Sequence, residues 1–273
     1  MRGSYKTRLR AKRTRQKTKN KKRKIQFAKV KKVTPSNKIS SKSRKIKHCY
    51  MCEKEAVTVE HVPPKCLFPE KKDVSDGVSY REQLITVPSC EDHNTKKSSD
   101  DEYILYVLVM NIPTNQIGKN QFSTKVMRAI QRRPQLMNQF LKNQKEVYLR
   151  DLHTGLVTQT IALDIDMTRF ISAIEMMVKA LYYNHFSEKC CGEILINPNF
   201  LFSLDAKNSQ SINQEIQILS AYTEKYFEGS KRFGNNSEVF YYQVTKVPER
   251  STTVFKLMFY GDCSITVFID SMN

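Results

Sequence analysis

Apolar and polar positions divide this chain into a front without period and a patterned remainder. Up to about residue 47 apolar side chains are sparse. Beyond it, Val57-Thr58-Val59 is a β-prone run leading into Glu60-His61, and Leu84-Ile85-Thr86-Val87 is a second, expected to stop at Pro88. Pro63, Pro64, Pro69 and Gly77 predict a loop between them. After His93 the spacing becomes helical, with Asn94 opening a helix in which Tyr103, Val107 and Met110 recur on one face. Short helices are predicted over 122–132 and 134–142, the second with Pro134 at its start. Residues 146–150 and 156–163 read as a hairpin around His153-Thr154-Gly155. The strongest helix spans 167–186, where Phe170, Ile174, Met177 and Leu181 mark one face with Ile171 and Val178 beside them, a core stripe. A further helix over 213–227 precedes three alternating strands at 239–244, 254–260 and 264–269. The fold class predicted is α+β, with antiparallel strands near the C-terminus.

Charge changes the picture of the front. Residues 1–48 hold 21 Lys and Arg and no Asp or Glu, which leaves 25 basic against 27 acidic residues in the rest. The net charge of +19 is therefore the property of a tail. So dense a block of one sign cannot bury enough surface to offset its ordering entropy, and disorder is expected over 1–47. Lys and Arg there, among them Arg13, Lys21, Lys22, Arg23 and Lys24, are candidate phosphate contacts that bind without sequence preference and weaken steeply with salt. The longest strongly apolar run, 103–110, is too short to cross a membrane, and the front lacks the apolar segment of a secretory signal.

Cysteine and histidine spacing supplies the candidate chemistry. Cys49-x-x-Cys52 and Cys90-x-x-His93 each aim two soft donors at one point. Three thiolates and an imidazole make a closed tetrahedral zinc site of the structural type. Cys66 and His48 lie in the same segment, and either is an alternative to His93 as fourth ligand. With three of seven cysteines assigned to zinc and the vicinal Cys190-Cys191 read as reduced thiols, a reducing cytoplasm is expected, at the nucleoid in a bacterium or in the nucleus of a eukaryote. His185, at a helix end, reads as a dipole partner.

The segment EHVPPK…LITVPSC…HN…K…DDEY resembles the HNH nuclease motif, the ββα-metal fold in its zinc-clipped bacterial form, over residues 49–103. In that family an acidic-His dyad ends the first strand and a CxxCN-like element opens the helix; here these are Glu60-His61 and Cys90 to Asn94. The resemblance implies His61 as general base, Glu60 and Asn94 as ligands of a catalytic Mg²⁺ or Mn²⁺, and Lys96 and Lys97 as phosphate contacts. A neutral imidazole can take a proton from water near pH 7, and a hard ion can clamp a phosphate through oxygen donors. The sequence departs from the motif in its Glu for the commoner Asp, in His93 for Cys, and in lacking the middle Asn, for which Gln83 or a backbone carbonyl is the candidate substitute in orienting His61.

The expectation is a disordered tail over 1–47, a zinc-bound HNH module over 48–112 and an α+β domain of unknown role over 113–273. The activity implied is metal-dependent phosphodiester hydrolysis, in DNA first, with nucleic acid as partner, no membrane, and a protein partner open to the C-terminal domain. The alternatives are a silent zinc module that binds nucleic acid or protein, and a ribonuclease or ribosome-associated protein.

Overall fold

Seven consecutive residues, Tyr103 to Val109, are buried. A helix apolar on every side must be surrounded, and α2 (Ser98–Val109) is. Against it pack the long helix α6 (Met167–Phe186), the 3-10 turn Lys65–Leu67 and the helix α3 (Gln116–Gln121). A computed structural model describes residues 47–74, 77–95, 98–150, 154–204, 207–247 and 250–270. The expected disorder of the tail and the phosphate contacts Arg13, Lys21, Lys22, Arg23, Lys24, Lys96 and Lys97 lie outside the described residues, as does His153. Residues 45–273 form one compact unit whose buried cluster runs from Cys49 to Ile269.

The mixed α and antiparallel β character agrees with the sequence. Strands β1 (Thr58–His61) and β2 (Thr86–Ser89) pair antiparallel, with Glu60 opposite Val87 and His61 opposite Thr86. Pro88 does not stop β2 but lies within it, opposite Val59. A two-stranded sheet has an open edge on each side, and there a missing N–H costs nothing; the Pro88 carbonyl accepts from the Tyr50 N–H at 2.9 Å. The next helix, α1 (Glu91–Thr95), starts three residues before Asn94.

The predicted helix over 122–132 is the end of a longer one. It begins with α3, passes through a π turn at Phe122–Val126 and continues as α4 (Met127–Arg132). Helix α5 (Gln135–Leu141) follows Pro134, and β3 (Lys145–Arg150) with β4 (Val157–Ala162) forms the expected hairpin. Helix α6 has the predicted bounds and buries Phe170, Ile174, Met177, Val178 and Leu181.

A five-stranded antiparallel sheet closes the fold. In chain order its strands are β5 (Glu193–Pro198), β6 (Phe233–Asn236), β7 (Phe240–Lys246), β8 (Thr252–Phe259) and β9 (Cys263–Asp270). In space the order is β5-β9-β8-β7-β6. Three of the five were predicted. β6 is Phe-Gly-Asn-Asn, without β propensity, and Gly234 takes a φ of +122° that an L side chain rarely adopts. Its register to β7 is irregular, so the pairing comes from tertiary contact.

Helix α7 (Ser209–Phe227) covers β7, and the central strand β8 is buried almost throughout. Lys256 is buried with it, and its ammonium reaches Glu224 of α7 at 2.6 Å. The Glu224 carboxylate is more than half exposed, which moderates the pair. Glu224→Gln is expected to lower stability by about 1–2 kcal/mol, because the buried ammonium loses its counter-charge. Lys256→Met is expected to be neutral or stabilising, and urea denaturation of the two variants separates the cases.

One buried network ties the sheet to the β1–β2 segment. Tyr260 donates its hydroxyl to the Leu67 carbonyl, which also accepts from Gln121 Nε2 at 2.9 Å. Burial pushes the Tyr260 phenol well above its ordinary pKa, so it stays a donor at all physiological pH. Tyr260→Phe is expected to cost about 1–2 kcal/mol, read from the thermal midpoint.

Candidate functional site

Two short pieces of chain bring four soft donors together. The first is a small turn in which Cys49 N–H bonds to Lys54 O at 2.9 Å and Ala56 N–H to Lys47 O at 2.8 Å. It presents Cys49 and Cys52. The second is the entry to α1: Cys90 stands just before the helix and His93 in its first turn, so a three-residue spacing puts both on one face. His93 Nδ1 lies 3.5 Å from Cys49 Sγ, 3.5 Å from Cys52 Sγ and 3.2 Å from Cys90 Sγ, and Cys52 Sγ lies 3.8 Å from Cys90 Sγ.

All four donor atoms lie within 4.8 Å of one another. A tetrahedron with metal–sulfur bonds of about 2.3 Å and a metal–nitrogen bond of about 2.0 Å has S···S edges of about 3.8 Å and S···N edges of about 3.5 Å. The observed separations fit those edges, so these four side chains can hold a metal ion. Burial raises the Cys49 thiol, but the N–H groups of Met51, Cys90 and Cys52 and the His93 ring outweigh it and bring the thiol down to about 6. A thiol that ionises that readily suits metal ligation.

The fourth donor of the cluster is His93, and the two alternatives are engaged elsewhere. Cys66 donates to the Asp101 carbonyl at 3.3 Å, and its burial pushes the thiol up to about 12. His48 Nδ1 contacts the Glu53 carbonyl at 3.0 Å in an exposed position. Cys190 and Cys191 belong to no group of three or more Cys, His, Asp or Glu donors among the described residues. Lys54 pairs with Asp92 across the two pieces, and Lys189 bonds to Cys52 O at 2.8 Å, fastening the first turn to the chain after α6.

The acidic-His dyad sits at the end of β1. Alternation turns Glu60 inward, where it is buried and accepts from the Tyr50 hydroxyl at 3.3 Å. Burial first, and the Glu60 charge second, raise the Tyr50 phenol and keep it a donor. His61 is half-buried, and burial, followed by the charge of Lys65, lowers its pKa below the ordinary imidazole value. The ring is therefore neutral at pH 7 and can accept a proton.

Glu60 and His61 line a cavity of about 10 Å³ together with Asp101 of α2 and Met176 and Met177 of α6. That volume is at the lower limit for one water molecule. Asp101 was not among the expected site residues. Its sequence signal, one half of an acidic pair in a first helical turn, reads as a partner of the helix dipole.

Asn94 does not line this cavity; its side-chain amide lies 3.5 Å from the Val59 carbonyl, on the backbone just before the dyad. Gln83 is turned toward the sheet, where its backbone and side-chain oxygens both accept from Asn235 Nδ2 at 3.1 Å. All seven cysteines are free thiols, and no helix among the described residues is long and apolar enough to cross a membrane. No family model, curated protein or solved structure matches the chain.

Proposed function

We propose that the protein is a metal-dependent nuclease of the HNH type, with zinc held by Cys49, Cys52, Cys90 and His93. One observation carries the reading: a strand pair whose first strand ends on a buried Glu60 and a neutral His61, followed by a helix whose entry holds half of a four-donor clip. The clip is a closed site of three thiolates and an imidazole, the structural use of zinc. It leaves no open position for chemistry, so the reaction belongs to the dyad.

His61 accepts the proton of the attacking water. Burial of the ring, which lowers its pKa, keeps it in the basic form. Glu60, held by the Tyr50 hydroxyl, and Asp101 are the carboxylates beside it. A bound Mg²⁺ or Mn²⁺ would neutralise charge on the phosphate and the leaving oxygen. Oxygen donors of this kind suit such an ion, with Glu60 as first candidate and Asp101 or Asn94 as second. The basic arm concentrates the protein on nucleic acid through phosphate contacts, and DNA is the first substrate to try.

The position of Asn94 outside the dyad cavity favours a second reading, a silent zinc module that binds nucleic acid or a protein. Incubating the full chain with supercoiled plasmid, single-stranded DNA and structured RNA, in Mg²⁺, Mn²⁺ or EDTA, decides between them. Metal-dependent cleavage of any of these supports the nuclease. Retained binding without cleavage in every metal supports the silent module.

A further inference from the structure

We propose that two copies of the chain associate edge to edge through β3, around a two-fold axis at Tyr148, so that two hairpins become one four-stranded sheet. The β3–β4 hairpin is a sheet of its own, separate from the five-stranded sheet and from the β1–β2 pair. Two strands alone are marginal in water, and three or more make a stable sheet. The outer edge of β3 carries no backbone hydrogen bond to another element among the described residues. A row of such open N–H and C=O groups is a template for a further strand.

Exposed apolar surface gathers at the same place. Tyr148, Leu149, Leu156, Val157 and Ile161 of the hairpin are 38–70% exposed, and Tyr148 is the most exposed large apolar side chain among the described residues. Ile112, Phe202 and Leu204 stand exposed along the cavity that Val147 and Leu149 also line. Together these side chains leave open an area on the order of the 800 Å² that each partner gives to a stable interface. The largest apolar patch of a typical monomer measures about 300–600 Å².

Symmetry selects a second copy as the occupant and fixes its register. A two-fold axis perpendicular to the sheet sets β3 antiparallel to itself. Residues directly opposite each other then point to the same face, so the axis must pass through one residue. Of the centres Val147, Tyr148 and Leu149, only Tyr148 sets unlike charges opposite: Glu146 against Arg150 of the partner subunit, twice over. The same centre puts Tyr148 against Tyr148 of the partner subunit, and Val147 against Leu149 of the partner subunit on the inner face. Aromatic, apolar and opposite-charge pairs are the ones that stabilise a strand pair. Within one hairpin Glu146 stands opposite Ile161 and Arg150 opposite Val157, so neither meets an opposite charge across it; Gln159 donates to Glu146 at 3.5 Å. Edge charges ordinarily ward off pairing, and these two admit one arrangement. The other edge, β4, is Val-Thr-Gln-Thr-Ile-Ala and has no charge to fix a register.

The test is sedimentation equilibrium of the full chain, freed of nucleic acid and kept reduced, in about 0.3 M salt so that the basic arm bridges nothing. A dimer with a Kd below about 10 µM is expected. Glu146→Arg or Arg150→Glu alone sets like charges opposite at both pairs. Each is expected to weaken the dimer about tenfold or more without loss of folded monomer, since both side chains are exposed. The double variant Glu146→Arg/Arg150→Glu is expected to restore the dimer, and an equimolar mixture of the two single variants to form a mixed dimer as tight as wild type. Tyr148→Lys places two ammoniums at the axis and is expected to remain monomeric at about 100 µM. The proposal is overturned if wild type is monomeric at about 100 µM. It is equally overturned if the dimer is indifferent to the single changes, as a contact through β4 or the apolar cavity would be, or if the double variant or the mixture fails to recover it. No readout involves zinc or cleavage, so the outcome is independent of the nuclease reading.

Discussion

A Cys90→Ser chain is expected to purify without zinc and to unfold at least about 10 °C below wild type. Structural zinc contributes on the order of 10 kcal/mol in isolated finger peptides, and a third of that moves the midpoint of a domain this size by about 10 °C. Loss of this one ligand removes two of the four recorded donor–donor contacts, those to Cys52 Sγ and His93 Nδ1. It also frees the entry of α1 from the Cys49–Cys52 turn. Wild type treated with a strong chelator is expected to reach the same state, and added zinc to restore wild type only. Elemental analysis and calorimetry check both. A metal-free wild type as stable as the loaded one would falsify the clip as a structural element.

The second large effect is on rate. His61→Ala is expected to cleave about 10²–10⁴-fold more slowly at unchanged zinc content, the usual contribution of a positioned general base. The pH profile carries a signature that a structural histidine would not give. On the proposed role His61 would work as the neutral ring, so cleavage is expected above its pKa and is expected to be lost as pH falls through it. Because burial and then Lys65 lower that pKa, the acid limb is expected below the ordinary value of about 6.5. Lys65→Ala removes the smaller of the two causes and is expected to move the limb slightly back toward that value. Zinc content is measured along the profile, since thiolates and imidazole release metal in acid. A limb above 6.5, or one that shifts downward in Lys65→Ala, removes His61 from the role.

The clip was legible in the sequence because its ligand spacing is a local matter: two residues between donors suffice in a turn and in a helix alike. What spacing does not say is which of the two it is. Cys90-x-x-His93 reads as a second knuckle, and in the fold it is the entry of α1, so the helix begins at Glu91 and not at Asn94. Pro88 reads as a stop because a sequence does not reveal whether a strand will have a neighbour on its N–H side. Asp101 was invisible for a different reason. It meets Glu60 and His61 only because α2 folds back along the segment that carries them, a contact between residues about forty apart in the chain. The irregular β6 was likewise unreadable, since nothing in Phe-Gly-Asn-Asn announces pairing until β7 offers an edge.

The helix with seven buried residues in succession has a consequence for anyone who would cut the protein down. The composition of the chain suggests a portable cassette ending near residue 112, ready to be moved between proteins. Such a fragment would carry α2 away from α6 and α3 and leave the large side chains between Tyr103 and Val109 that those helices cover facing water. Aggregation is the expected fate of a surface of that kind. The segment that carries the Cys/His cluster and the helices behind it thus stand or fall together.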